Sequence, residues 1–234
     1  MKILFVVWFS LFSFAGYSQR KIHSVSQMDL IFSFAHLNST STSTSPVLRF
    51  SGFFNQELQF HYDFTKVFGL YSGLGLKNIG MINHFEDKGI NLKQRAYALS
   101  APLALKIGSM KAENYIAFGA ELNVMTQYKQ KFLYNNTKVK SSEWFSDKVN
   151  LINPAIFFQL KFLRSQVITV KYFLKDFLRY QQGGLILPDG TPLTNYGQSS
   201  NLFYISWGSS ISFRDPSSKP KKQSPTIKTA LLEE

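Results

Sequence analysis

The chain has 234 residues, 44% hydrophobic and 17% charged, with a formal net charge of +12. It is long enough for one domain and too apolar for a disordered chain. It contains no cysteine, which excludes a disulfide framework, a cysteine zinc site, a thiol nucleophile and a cysteine-linked lipid anchor.

The first predicted element is an export signal. Met1 and Lys2 precede an apolar run from Ile3 to Ala15, followed by Gly16, Tyr17, Ser18 and Gln19. A cationic start, an apolar run and small residues predict secretory cleavage after Ser18. The run is too short to span ~30 Å of hydrocarbon as a helix. The domain division expected is therefore a signal peptide at 1–18, a barrel at 19–213 and a disordered periplasmic tail at 214–234. Cleavage removes one basic residue, Lys2, and no acidic one. The remaining Lys and Arg are scattered, and an exported protein seldom meets nucleic acid. Outer-membrane lipid and lipopolysaccharide phosphate are the expected anionic partners, not nucleic acid.

Strands follow, because apolar and polar residues alternate with a period of two. Residues 28–36 set Met28, Leu30, Phe32 and Phe34 against Asp29, Ser33 and Ala35. Residues 54–64 set Phe54, Leu58, Phe60, Tyr62 and Phe64 against Glu57, Gln59, His61 and Asp63. Residues 68–77 set Phe68, Leu70, Leu74 and Leu76 against Tyr71, Lys77 and three glycines. Next, Tyr97, Leu99, Leu103, Leu105 and Ile107 oppose Ala98, Ser100, Ala104 and Lys106. In 115–127, Ile116, Phe118, Leu122 and Val124 oppose Gly119, Glu121, Asn123 and Gln127. Ile156, Phe158, Leu160 and Phe162 oppose Gln159 and Lys161, with Phe157 on the polar side. Ile168, Val170, Tyr172 and Leu174 oppose Thr169, Lys171 and Lys175. Last, Phe203, Ile205, Trp207, Ile211 and Phe213 oppose Tyr204, Ser206, Gly208, Ser210 and Ser212.

These eight segments are joined by connections that alternate in length. The gaps at 38–52, 82–94, 129–149 and 178–200 are long; those at Thr65–Val67, Ser109–Ala112 and Leu163–Ser165 are short. The expected fold is all-β: an eight-stranded antiparallel up-and-down transmembrane β-barrel with short periplasmic turns and long extracellular loops.

A soluble lipocalin-like barrel that binds a hydrophobic ligand would put the apolar face inside; a membrane barrel puts it outside. The apolar face here is too bulky for an eight-stranded lumen, which holds side chains and no continuous channel. The polar face is rich in small residues and carries both signs of charge. The lumen network is thus predicted to hold Asp29, Glu57, His61, Asp63, Lys77, Lys106, Glu121, Lys161, Lys171 and Lys175. The lipid-facing set is Phe54, Leu58, Phe60, Leu70, Leu74, Leu103, Phe118, Phe158, Val170, Ile205 and Trp207. Aromatic residues near strand ends, Tyr128 and Tyr172 among them, are expected in the interfacial girdles.

The stretch Phe53–Met81, with its run Phe68-Gly-Leu-Tyr-Ser-Gly-Leu-Gly-Leu-Lys-Asn-Ile-Gly80, and the segment Tyr97-Ala-Leu-Ser-Ala-Pro-Leu-Ala-Leu-Lys106 resemble a known group. They are similar to the small outer-membrane β-barrel proteins of Bacteroidetes, the PorT-like or outer-membrane β-barrel domain family. The Gly16-Tyr-Ser-Gln19 cleavage region is similar to theirs as well. This resemblance covers about residues 25–213 and implies the outer membrane of a Gram-negative cell. It also implies that the last strand, with Ile211 and Phe213, is the signal read by the barrel-assembly machinery during insertion. In the family that signal ends the chain, whereas here residues 214–234 follow. Some PorT-like proteins belong to the type IX secretion apparatus, so a place in such a complex is an alternative.

Chemistry is sparse. No His is followed two residues later by Ser, the arrangement that would put a base and nucleophile together on one strand face. His61, Asp63 and Glu57 share one face and could form a water-activating cluster in a barrel enzyme, but inside a barrel the same residues satisfy buried charge. No HExxH or paired His supplies a metal site. No catalytic, metal or cofactor residue is assigned, and the expected role is structural or interactive, through the loops. The stretch 129–149 interleaves Lys129, Lys131, Lys138, Lys140 and Lys148 with Tyr134, Trp144 and Phe145. It and the tail 214–234 are the candidate contacts for a protein partner.

Overall fold

The computed structural model describes residues 22–35, 44–86, 89–134, 137–179, 185–186, 190, 192–193 and 199–213. The predicted export signal, the tail 214–234 and parts of the expected loops lie outside these residues. The strands in chain order are β1 (Ile22–Ala35), β2 (Thr44–Val47), β3 (Arg49–Ser51), β4 (Gln56–Asp63) and β5 (Phe68–Phe85). They continue with β6 (Ile90–Ser109), β7 (Asn114–Tyr134), β8 (Thr137–Trp144), β9 (Ile152–Phe162) and β10 (Gln166–Asp176). A two-residue pair, β11 (Leu185–Ile186) with β12 (Pro192–Leu193), precedes β13 (Asn201–Phe213).

Eight of them close a ring in the order β1-β4-β5-β6-β7-β9-β10-β13, every neighbour antiparallel. The seam is a continuous ladder from Ser24↔Phe213 to Ala35↔Leu202. Closure leaves the ring without an unpaired edge, the condition a sheet must meet in a medium that offers no hydrogen bonds. The chain meanders because each connection joins adjacent strands. At one end lie the short turns at 64–67, 110–113 and 163–165, together with Ile22 and Phe213. Thr65 Oγ1 accepts from the Val67 and Phe68 amides and ties the first of these turns.

Three departures from regular pairing correct the expected elements. First, the Ser/Thr-rich gap 38–52 is not all loop: β2 pairs with the far end of β5, and β3 with Ile31–Ser33 of β1. With β4 they make one wall strand broken at Gly52–Asn55, where Phe54 has φ 60°. Phe54 is therefore exposed at a break instead of lying on a strand. Asn55 repairs the ladder there. Its Nδ2 donates to the Asp29 and Ser51 carbonyls, its Oδ1 accepts from the Asn78 amide, and its carbonyl accepts from the Asp29 amide. Asn55→Ala is expected to take the side-chain partner from the Asp29 and Ser51 carbonyls and the Asn78 amide and to lower the urea midpoint by the equivalent of about 1–3 kcal/mol; Asn55→Asp, which keeps only the acceptor, should recover part of that.

Second, the expected gaps 82–94 and 129–149 are largely strand. β5 and β6 stay paired as far as Phe85↔Ile90, and β7 continues past β9 to pair with β8. Third, one extra residue in β7 flips the side-chain phase, and an irregularity near the end of β10 disturbs the alternation there. In β7, Ala98↔Met125 is followed by Tyr97↔Gln127, so Thr126 is supernumerary. Beyond it Gln127 turns outward and Tyr128, expected in the girdle, is buried inside. In β10 the register against β13 shifts between Tyr172 and Asp176, and Lys175, expected in the lumen, is exposed.

The two faces of the wall exchange character part-way up. From the short turns to about Tyr97, the outer face is apolar and exposed: Leu74 is 70% accessible, Leu103 61% and Phe118 62%. On β6 this belt runs from Leu99 to Ile107, close to the ~9–11 residues a tilted strand needs to cross a bilayer. Above Tyr97 the order reverses. His84, Asn91, Lys93, Arg95, Lys129 and Lys131 face outward, while Ile79, Met81, Phe85, Ile90, Leu92 and Phe132 are buried in an interior apolar cluster. Val149, Phe177 and Leu178 join this cluster from the connecting segments.

Candidate functional site

The lower lumen is filled by a charged network whose members come from seven wall strands and a turn. Lys77 on β5 lies 3.0 Å from Asp29 of β1 and 3.0 Å from Glu57 of β4. Lys171 on β10 pairs with Glu121 on β7 at 2.5 Å, and its ammonium lies over the Phe157 and Tyr204 rings. Lys77, Glu57, Asp29, Lys171 and Glu121 are all buried. Unpaired, each would cost several kcal/mol in such surroundings, so both signs must be present together.

Amides join the ion pairs. Gln59 Nε2 donates to Glu57 and Gln27, while its Oε1 accepts from His61. Gln27 donates to Asp29. Gln159 donates to Gln27 and Thr169 and accepts from the Tyr71 hydroxyl. Gly208 makes room for the carboxylate beneath it: a Cβ at that position would lie 2.2 Å from Asp29 Oδ1.

Nearer the short turns, Lys106 Nζ contacts Asp63 Oδ1 at 2.7 Å and His61 Nδ1 at 3.0 Å. A lysine ammonium only donates, so Nδ1 accepts and the proton sits on Nε2, which donates to Gln59. Both ring nitrogens of His61 are thus engaged, and its face stacks on Tyr71 with centroids 4.9 Å apart. The candidate water-activating cluster of His61, Asp63 and Glu57 is in fact two separate ion pairs bridged by an amide. Lys161 reaches Glu113 at 2.9 Å, and Ser212 donates to the same carboxylate. Among the described residues no group of three or more His, Asp and Glu could hold a metal ion.

Nine of the ten residues predicted for the network therefore point inward, with Asp63 partly accessible at the mouth; Lys175 does not. Gln27, Gln59, Gln159, Tyr71 and Glu113 also belong to it. Glu113 escaped sequence reading because it sits in a turn at φ 57°, where the period-two rule does not apply. On the outer face, Leu58, Phe60, Leu74, Leu103, Phe118, Phe158, Ile205 and Trp207 are exposed, and Leu70 and Val170 are half-buried by neighbours. Ile211 and Phe213 are exposed on the last strand. An apolar cleft of about 530 Å³ covers the wall break, lined by Met28, Leu30, Phe53, Phe54, Leu76 and Trp207 among others.

Above the belt, a second cleft of about 470 Å³ is lined by Lys93, Arg95, Lys129, Lys131 and Lys140 with Gln130, Ser141 and Ser142. Three cross-strand pairings here set like charges opposite one another, Lys93↔Lys131, Arg95↔Lys129 and Lys131↔Lys140.

No protein-family model and no curated protein matches the chain. Solved structures do resemble it. One is Ail, the attachment invasion locus protein of Yersinia pestis, at 13% identity and a TM-score of 0.43, covering 82% of this chain and 99% of that one. Ail in complex with the heparin analogue sucrose octasulfate gives 12% identity and a TM-score of 0.33, with coverage of 82% and 99%. The outer membrane protein OprG from Pseudomonas aeruginosa gives 11% and 0.34, covering 82% of this chain and 97% of that one.

Proposed function

We propose that the chain is a non-enzymatic outer-membrane β-barrel of a Gram-negative cell, with a filled lumen and a structural or interaction role exercised by the part that stands above the bilayer. The observation that carries this reading is the exchange of face polarity at one level of the wall. Exposed Leu and Phe below it need lipid; outward Lys, Arg and Asn above it need water. A soluble ligand-binding barrel would keep one polarity order along its whole height and would turn its apolar face inward.

In this orientation the short turns face the periplasm. The ion pairs and the apolar cluster fill the axis in two storeys, so passive passage of solutes is not the expected activity. The similarity of Phe53–Met81 and Tyr97–Lys106 to small Bacteroidetes barrels agrees with the reading. Its partners are then the surrounding lipid, lipopolysaccharide and, during insertion, the barrel-assembly machinery acting on the strand that carries Ile211 and Phe213.

The test is fractionation followed by electrophoresis with and without heating. The protein should resist extraction from membranes by alkaline carbonate and should migrate differently when left unboiled. Release by carbonate, with one mobility under both conditions, would sink the proposal.

A further inference from the structure

We infer that the outer face of β6, β7 and β8 above the apolar belt is a binding site for the phosphate groups of an outer-leaflet glycolipid. This rests on the membrane orientation proposed above. The register stacks residues of one face in rows across the three strands. Lowest is Tyr97–Gln127–Trp144, then Arg95–Lys129–Ser142, then Lys93–Lys131–Lys140, then Asn91–Leu133–Lys138. Six cations thus share one patch.

Like charges placed directly opposite in a sheet repel, and among the described residues of these three strands no carboxylate faces the patch to offset them. β6 contains no acidic residue, and the one on β7, Glu121, is in the lumen paired with Lys171. The one on β8, Glu143, lies opposite the inward-facing Tyr128 and is held by Lys148, Ser146 and Ser141. Burial together with Arg49, Arg95 and Lys131 pushes the Lys93 ammonium below the ordinary lysine value. A bound anion would relieve that crowding.

Position selects the kind of anion. The Arg95 and Lys129 cations lie over the Tyr97 ring, 5.9 and 5.1 Å from its centroid, and Trp144 is exposed in the same row. Rows two residues apart are roughly 7 Å apart along the strand. The cations therefore begin one row above the aromatic level and two above Leu99, where headgroup phosphates sit when acyl chains lie on the belt. A soluble anion would have no use for the rings or for the apolar surface below them. Ser142, whose hydroxyl oxygen accepts from Gln127, adds a hydroxyl donor beside the cleft.

The full chain would be reconstituted in phosphatidylethanolamine vesicles containing lipid A, lipid A stripped of its phosphates, or phosphatidylglycerol. Lipid retained per barrel after transfer to mild detergent is then counted by mass spectrometry. Wild type should retain phosphorylated lipid A over the other two, and the triple variant K93Q/K131Q/K140Q should lose on the order of tenfold or more of it. K111Q/R164Q, at the opposite rim, should change nothing. Equal retention of stripped lipid A or phosphatidylglycerol, an unaffected triple variant, or displacement by millimolar inorganic phosphate would overturn the inference. Mobility of unboiled samples reads insertion separately. If wild type fails to insert, the membrane reading falls; if it inserts and retention is flat, only the lipid site falls.

Discussion

Lys77→Met is expected to be the most damaging single substitution in the lumen. It keeps the length and apolar stem of the side chain but strands two carboxylates, Asp29 and Glu57, each now 3.0 Å from the ammonium. Both carboxylates are buried, and the Asp29 environment has no spare volume because Gly208 already gives way to it. Removing one partner of a buried ion pair costs about 3–5 kcal/mol, mostly because the remaining charge is left unsolvated. With two carboxylates left behind, the upper end of that range is expected. The measurement is urea unfolding in detergent, followed by the loss of the heat-sensitive electrophoretic form. The triple variant D29N/E57Q/K77M removes every charge of the cluster together and should recover most of the loss. If K77M unfolds at the wild-type midpoint, the lumen network is not holding the wall strands together.

The second large effect belongs to the outer face. Leu103 lies mid-belt on β6, exposed, between Leu99 and Ile107. Leu103→Arg is expected to cost about 2–4 kcal/mol for refolding into vesicles, the range for a cation at the midplane of a membrane barrel. Leu133→Arg, on the outer face of β7 above the belt and opposite Lys138, should cost no more than about 1 kcal/mol, a surface change plus the repulsion of one like charge across the strands. Were the belt in water, the two substitutions would be alike, and replacing an exposed leucine by arginine would be close to neutral. A comparison of their refolding yields and midpoints separates the cases.

How much of this could be read from residues alone depended on contrast between the two faces. In the belt the contrast is strong. Leu103 and Leu105 alternate with Ala104 and Lys106, and eight segments of that kind suffice to place eight wall strands and their inward and outward sides. Above the belt the same strands continue with the contrast reversed, as in Lys93 and Arg95 outside against Leu92 and Ala96 inside. Read with the belt's phase, such a stretch looks like a polar loop. Bulges hide in the same way: one supernumerary residue at Thr126 exchanges Gln127 and Tyr128, and the irregularity in β10 turns Lys175 out.

The network's ionic members were legible because a charge on the small-residue face of a strand can be kept there only by an opposite charge across the lumen. Its amides were not, since Gln27, Gln59 and Gln159 look like ordinary polar residues until the ring brings three strands together. The basic patch was half visible. Lys129, Lys131 and Lys140 stand out along the chain, but Lys93 and Arg95 join them only through cross-strand register, which no local pattern encodes.

The most direct test of the face exchange is a spin-label scan along β6. The chain has no native cysteine, so single cysteines at 91–107 can each carry a nitroxide in reconstituted vesicles, and collision with oxygen and with a soluble nickel complex can be compared. Labels at Leu99, Leu103, Leu105 and Ile107 should favour oxygen, those at Ala98 and Ala104 should be shielded from both, and those at Asn91, Lys93 and Arg95 should favour nickel. Nickel access at Leu103 and Leu105 equal to that at Lys93 would contradict the account.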